Sequence, residues 1–220
     1  MKKIAIIGVG GFGREVKILI DHINEVEPQY DIVGFYDDGD GLNSEYNGIP
    51  YMGKIEELNR LPESMAVAVG VGDPHTKAKI LSQISNPDLY FPVLIHPSVI
   101  MGQDDITIGK GTIICANSIL TCNIHIAEFV TVNLCCTIGH DTEVSRFSSF
   151  MPGVNISGEV VIQERVYVGT GAKIINQVEV GKSTIIGAGA VVAKSLPANC
   201  TAVGLPAKPI KFHDPDHFQH

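Results

Sequence analysis

The sequence predicts two parts. The first is an α/β domain of Rossmann-like grammar over residues 1–95; the second is a left-handed parallel β-helix with a C-terminal tail over 96–220. Three observations carry this expectation. Up to Leu94, short apolar runs alternate with stretches of helical spacing. From Ile108 to Val192 every sixth residue is large and apolar, fifteen in succession without a gap. A period of six belongs to no helix or ordinary strand but suits a three-sided coil with one hexad per side.

In the first part, Ile4-Ala5-Ile6-Ile7 reads as a buried strand closing on Gly8. Val16, Leu19, Ile20 and Ile23 recur at helical spacing over 14–23. Residues 31–36 form a second strand candidate, ending at Asp37 and Asp38, and the Gly- and Asp-rich stretch to Asn47 reads as loop. Residues 55–61 suggest a short helix stopped by Pro62, and Met65 to Val69 a buried strand. Asp73-Pro74 has the form of an N-cap followed by proline at the first helical position. The helix it opens carries Ala78, Ile80, Leu81 and Ile84, and 89–94 is a last strand.

In the second part the large residues run Ile108, Ile114, Leu120, Ile126 and on to Val192, and are expected to point into the prism. Two residues before each stands a small or β-branched one, such as Thr112, Ser118, Cys136, Ser148 and Thr184. Fifteen hexads make five turns of three. A β-sandwich would need period two and turn clusters every eight to twelve residues, and neither is present.

Composition narrows the function. Of 220 residues, 45% are apolar, enough for a sizeable core, and with no Trp that core is built from Ile, Val, Leu and Ala. A net charge of −8 argues against bulk binding of nucleic acid or anionic membrane. The N-terminal apolar run is too short for a signal peptide, and no stretch is long enough to span a bilayer. The five Cys are odd in number and lack CxxC spacing, which argues against a disulfide framework or a zinc site and points to the reducing cytoplasm.

Gly8-Val9-Gly10-Gly11-Phe12-Gly13 fits GxGxxG between a strand and a helix, where backbone N–H groups and the helix dipole favour phosphate. Asp37 and Asp38 end the next strand, where an acid reaches a ribose hydroxyl. An NAD site is therefore a rival reading. Against it, the domain holds only part of a dinucleotide fold, and nothing downstream resembles a dehydrogenase substrate domain. Gly70-Val71-Gly72-Asp73 ends another strand on the same edge, either as a close approach to ligand or as a tight turn with Asp73 as cap.

His140-Asp141 follows core Ile138 and Gly139 and so falls at a corner of the coil, pointing outward. Imidazole titrates in the range that deprotonates an amine, and a carboxylate neighbour fixes its tautomer. Cys135 and Cys136 invite a covalent acyl-Cys route, but Cys136 occupies an inward small position where Thr or Val would serve. His96 reads as structural, His125 as outward-facing, and His213, His217 and His220 as a solvated tail.

These motifs, with Gly34-Phe35-Tyr36-Asp37-Asp38, Leu94-Ile95-His96-Pro97 and Val203-Gly204-Leu205-Pro206-Ala207-Lys208, resemble the bacterial sugar acetyltransferases that join a nucleotide-binding domain to a hexapeptide-repeat β-helix. The group includes the bacillosamine-pathway N-acetyltransferases and the sialic acid O-acetyltransferase-like proteins. The resemblance implies a homotrimer with acetyl-CoA in a groove between neighbouring β-helices, and no metal. It implies transfer of acetyl to a nucleotide-linked amino sugar, a 4-amino-4,6-dideoxy sugar, for surface glycans. His140 is then the general base with Asp141 assisting, and Gly8, Gly10, Gly11, Gly13, Asp37, Asp38, Gly70, Gly72 and Asn133 meet the acceptor. Ser149, which stands where some relatives have a second His, would face the thioester. Gly158, Thr170 and Ala188 leave room for the pantetheine arm, and Lys194, Pro206 and Lys208 meet the nucleotide end of the donor. Two departures stand out: Phe12 where many relatives have His, and Asp141 where many have Glu. O-acetylation of a sugar and a non-catalytic nucleotide-sugar sensor remain alternatives.

Overall fold

A computed structural model describes residues 1–214. His217 and His220 lie outside the described residues. The chain divides into two compact units, Met1–Pro97 and Ser98–His220.

The first unit is built on a sheet of strands β1 (Lys2–Ile7), β2 (Tyr30–Tyr36), β3 (Glu45–Tyr46), β4 (Ile49–Gly53), β5 (Met65–Val69) and β6 (Leu89–Tyr90), in the order β3-β4-β2-β1-β5-β6. All pairs are parallel except the β3–β4 hairpin. The apolar stretches of β1 and β5 are buried from Ile4 and Met65 to their ends, as central parallel strands must be. Helix α1 (Gly11–Val26) buries Val16, Leu19, Ile20 and Ile23, the expected stripe, and begins earlier than its apolar pattern. Helix α2 (Pro74–Gln83) opens with Asp73 accepting the Thr76 N–H at 2.7 Å, so the cap reading holds.

Three readings of this unit change. Tyr46-Asn47-Gly48-Ile49 is a hairpin turn with positive φ at Asn47 and Gly48, and residues 49–53 form a strand. Asn-Gly between apolar residues is the signal for it. The last strand breaks in two, Leu89–Tyr90 and Leu94–Ile95, with Pro92 between them. Helix α2 carries Ala78, Ile80 and Leu81 as expected but ends at Gln83, so Ile84 is its C-cap and not a helical residue.

The second unit is the left-handed parallel β-helix that the hexads predict. Its two- and three-residue strands stack in parallel on three faces. On one face Ile114, Val132, Phe150, Val168 and Ile186 stand in line, each one turn of the coil after the last. Leu120, Ile138, Ile156, Ile174 and Val192 line the second, and Ile108, Ile126, Val144, Ile162 and Val180 the third. All but Ile108, which lies in the first turn, are buried. The small residues beside them are buried too, and their hydroxyls are satisfied by carbonyls further along the coil: Thr112 by Ala127, Ser118 by Asn133 and Ser148 by Gln163, each at 3.0 Å.

The corners obey a second rule, only partly visible in the residue types. Every sixth residue from Asp105 to Gly189 has φ between 45° and 72°. Eight of the fifteen are Gly, Asn or Asp, which tolerate this region, but Phe129, Cys135, Phe147, Glu159, Arg165, Gln177 and Ser183 also adopt it. Each such residue costs on the order of 1 kcal/mol. The corner amides offset this by donating to carbonyls of the preceding turn: Cys135 to Ala116 at 2.9 Å, Phe147 to Glu128 at 3.0 Å, Glu159 to His140 at 2.8 Å. A net hydrogen bond contributes about 1 kcal/mol, so the two effects are comparable. The favourable balance comes from the stacked apolar rows. The coil ends in a hairpin of Cys200–Gly204 and Ala207–Phe212, in which Val203 pairs with Lys208.

Lys77 is 1% exposed, and its burial brings the ammonium down to about 7 against the opposing pull of Asp73. The folded state then binds fewer protons here than the unfolded chain between pH 7 and the usual 10.5, so this group's contribution to stability rises with pH across that window. The melting temperature of Lys77→Met relative to wild type is expected to fall steadily as pH is raised from about 7 to about 10. A difference that stays constant would contradict the assignment.

Candidate active site

His140 and Asp141 lie at one corner of the coil, as expected from the hexad count. Thr137–Ile138 forms a face, Gly139 passes under the backbone of Ser157 and Gly158 in the next turn, and Asp141 takes the left-handed corner position with φ 56°. The backbone here is held on both sides: the Asp141 N–H donates to Cys122 O at 3.2 Å, and His140 O accepts from Glu159 N–H. Both side chains face outward, His140 55% and Asp141 49% exposed.

His140 Nδ1 lies 2.6 Å from Asp141 Oδ2. A carboxylate only accepts, so this contact puts the imidazole proton on Nδ1 and leaves Nε2 as the basic atom. The Asn123 amide, donating to Asp141 Oδ1 at 2.8 Å, and then the bond to His140 hold the Asp141 carboxyl below the usual carboxylate range, so it stays ionised at neutral pH. Gly158 stands one turn above His140. A Cβ on it would come within 2.4–2.8 Å of Nε2, Cε1 and Cδ2 of the imidazole. Glycine here lets the ring lie against the backbone.

The cysteines divide as the inward pattern predicts. Cys136 takes the place of a buried Ser, its Sγ donating to Met151 O at 3.3 Å. Burial pushes its thiol up to about 11, which opposes thiolate formation. Cys135 is an exposed corner residue. His125 faces outward and bonds Thr107 Oγ1 at 2.9 Å. His96 Nε2 meets His22 Nδ1 at 2.8 Å, and His213 meets Thr201 Oγ1 at 2.8 Å.

The other coil residues named from the sequence fall on different edges. Gly158 and Lys194 share the column of His140, one turn and three turns further along. Thr170 and Ala188 are exposed on another edge. Lys194, Pro206 and Lys208 are exposed, the last two at and after the turn of the terminal hairpin. Ser149 is fully buried and lies half a turn beyond His140. Asn133 is also buried, and its Oδ1 accepts the Leu134 N–H at 2.7 Å. Within one chain these residues do not form a single cleft.

In the first unit, the carboxyl ends of β1 and β5 meet where the strand order reverses. Gly8 has φ 100°. A Cβ on Gly13 would lie 1.8 Å from Gly8 O, and one on Gly70 would lie 2.5 Å from Gly13 Cα. These three glycines are required by close packing of strand, turn and helix. Gly10 and Gly11 meet no such constraint, since a Cβ on either has nothing within 4 Å. Gly10 is the N-cap of α1, and both it and Gly11 are exposed. Gly72 is half-buried in the turn after β5.

Asp37 does not stand free for a ribose. Its Oδ2 accepts the Val9 N–H at 2.9 Å and its Oδ1 the Gly39 N–H at 2.8 Å, tying the glycine-rich loop to the end of β2. Asp38 Oδ1 accepts the Ile55 N–H at 2.9 Å and opens the 3-10 turn Ile55–Arg60. Both acids still border a cavity of about 270 Å³ with Gly8, Val71, Thr76, Lys79, Ile80 and Gln83. Among the described residues no group of three or more His, Cys, Asp or Glu is arranged to hold a metal ion. No helix among them is long and apolar enough to cross a membrane.

Comparison with known proteins agrees with both units. Residues 3–84 match the PglD N-terminal domain, and residues 159–194 match the bacterial transferase hexapeptide family of six repeats. The chain is 28% identical over 217 residues to the GDP-perosamine N-acetyltransferase of Escherichia coli, covering 96% of this chain and 97% of that protein. The acetyltransferase domain of PglB from Neisseria gonorrhoeae, solved with acetyl coenzyme A, superposes with a TM-score of 0.85 at 31% identity, over 95% of this chain and 99% of that one. PerB from Caulobacter crescentus, solved with CoA and GDP-perosamine, gives 0.83 at 25% identity, over 96% and 98%. This extent of likeness, across both units, makes the chain a member of the bacterial sugar N-acetyltransferase family that joins a PglD-type N-terminal domain to a hexapeptide-repeat β-helix.

Proposed function

We propose that this protein transfers acetyl from acetyl-CoA to the amine of a nucleotide-linked amino sugar, with His140 as general base. The observation that carries the reading is the His140 Nδ1–Asp141 Oδ2 contact of 2.6 Å on an outward corner of the coil, which leaves Nε2 as the base. The relatives solved with acetyl-CoA, or with CoA and GDP-perosamine, support the choice of donor and acceptor.

The chemistry follows from the arrangement. The acceptor nitrogen, as free amine, attacks the thioester carbonyl, and a C–N bond forms. His140 Nε2 takes the proton that the nitrogen must lose, and the imidazolium is stabilised by the ionised Asp141. Collapse of the tetrahedral intermediate breaks the C–S bond, and the imidazolium returns its proton to the departing thiolate. No covalent enzyme intermediate is needed, in keeping with the buried, weakly acidic Cys136.

The acceptor's nucleotide is assigned to the cavity beside Gly8, Asp37 and Asp38, with phosphate at the first turn of α1 near Gly10 and Gly11. Here Asp37 shapes the loop that receives the phosphate. The sugar is assigned as a 4-amino-4,6-dideoxy sugar destined for surface glycans, and the reaction to the cytoplasm, where both co-substrates are made. The donor groove is assigned to the boundary between subunits of a homotrimer. Support comes from the split of the small and basic positions: Gly158 and Lys194 share an edge with His140, while Thr170 and Ala188 lie on another. A three-fold assembly of prisms brings one edge of each copy toward a different edge of its neighbour.

Release of CoA thiol with a panel of UDP-, dTDP- and GDP-linked amino sugars tests the activity. His140→Ala is expected to lower kcat by at least about 100-fold with little change in acetyl-CoA affinity. Full turnover in that variant, or transfer to hydroxy sugars but not amino sugars, would contradict the proposal. Gly158→Ala, whose Cβ meets the imidazole, is expected to lower kcat about tenfold or more while acceptor KM holds within about twofold. Unchanged kcat would mean that the ring does not need its present seat.

A further inference from the structure

The acid that orients His140 is itself held from the turn below. Asn123 stands one turn before Asp141 at the same corner of the coil, with φ 52° beside 56°. Its backbone is fixed by an N–H bond to Asp104 O at 2.8 Å. Its side-chain Nδ2 donates to Asp141 Oδ1 at 2.8 Å, while Asp141 Oδ2 takes His140 Nδ1 at 2.6 Å. The two carboxylate oxygens are thus divided between an amide and an imidazole.

This division matters because the corner is wet. With Asp141 half-exposed, water competes for both oxygens, and one bond to His140 leaves the carboxylate plane free to turn about its terminal torsion. A second bond at the other oxygen fixes that plane. Asn does this without adding charge, so the full negative charge of Asp141 remains available to the imidazolium. A Lys or Arg in its place would neutralise it.

The corner column also contains its own comparison. It reads Asp105, Asn123, Asp141, Glu159, Gln177 from turn to turn, and Gln177 Nε2 donates to Glu159 Oε2 at 3.1 Å. That is a second amide-to-acid bond of the same kind on the same edge. Of the two acids, Asp141 is the one bonded to His140.

We infer that Asn123 is a positioning residue for proton transfer, acting through Asp141 to keep the His140 ring in the Nδ1–H form with Nε2 presented to the acceptor. The inference rests on the functional reading above, with His140 as base. Other titratable groups around Asp141 are Asp105, His125 and Glu143, which share its outer cleft, and Glu159 on the next turn.

The test uses the full-length protein with isotopically labelled histidine. The His140 imidazole signals are assigned by their loss in His140→Ala, and kcat and both KM values are measured alongside. Asn123→Ala is expected to lower kcat about tenfold, hold both KM values within about twofold, and reduce the Nδ1–H tautomer of His140. Asn123→Asp is expected to raise the titration midpoint of His140 by about half a pH unit or more, since a second negative charge replaces the donor. Gln177→Ala is expected to match wild type in all of these. Wild-type kcat and tautomer in Asn123→Ala, or an equal loss in Gln177→Ala, would overturn the inference. If His140→Ala retains turnover, the functional reading fails and the inference falls with it; loss of turnover in His140→Ala beside wild-type kcat and tautomer in Asn123→Ala overturns the inference alone.

Discussion

The second unit depends on one repeated contact, the corner amide that donates to a carbonyl of the preceding turn. This bond fixes the length of each turn, and a fixed turn is what lets side chains stack by identity of position. The large residues then bury one another face by face, and the small inward hydroxyls find carbonyls further along the coil. The corners bear left-handed backbone at residues as unsuited to it as Phe129, Phe147 and Arg165. Strain of that size persists only where neighbouring turns over-determine it. Rigidity at the corner is in turn what holds the exposed His140–Asp141 pair in place, since neither residue is held by burial.

The active-site geometry is a direct product of this lattice. Three residues act on His140, each at a fixed offset. Asp141 is its neighbour in sequence, Gly158 lies one turn above it, and Asn123 lies one turn below Asp141. Surface charge follows the same arithmetic: Lys110 meets Glu128, and Glu164 meets both Arg146 and Lys182, every pair one turn apart. Glu164 also meets its sequence neighbour Arg165 at 3.0 Å, so the register brings side chains together one turn apart without being the only source of contact.

Much of this is legible in the amino acids because burial in a three-sided coil has a period that nothing else shares. The hexad rhythm yields the inward rows, the outward corner of His140 and the inward Cys136. The left-handed corners are only partly legible, since the types that adopt them include Phe, Arg, Glu and Gln, and the compensation lies in bonds to another turn. Asn123 escapes a reading by motif, although counting one turn back from Asp141 finds it, because a lone Asn in an exposed position signals nothing by itself. The Asn47-Gly48 hairpin is hidden inside a stretch whose Gly and Asp content reads as loop. Asp37 stands at the end of its strand as expected, yet its oxygens are taken by the amides of Val9 and Gly39. Strand position predicts where an acid stands but not whether the backbone claims it first.

The proposed reaction turns on the imidazole Nε2 receiving the acceptor's proton. A crystal structure of the protein with CoA and its nucleotide-linked amino sugar measures this directly. The amine nitrogen is expected about 3 Å from His140 Nε2, with Nδ1 still on Asp141. An amine bound far from His140, or seated against a different base, would contradict it.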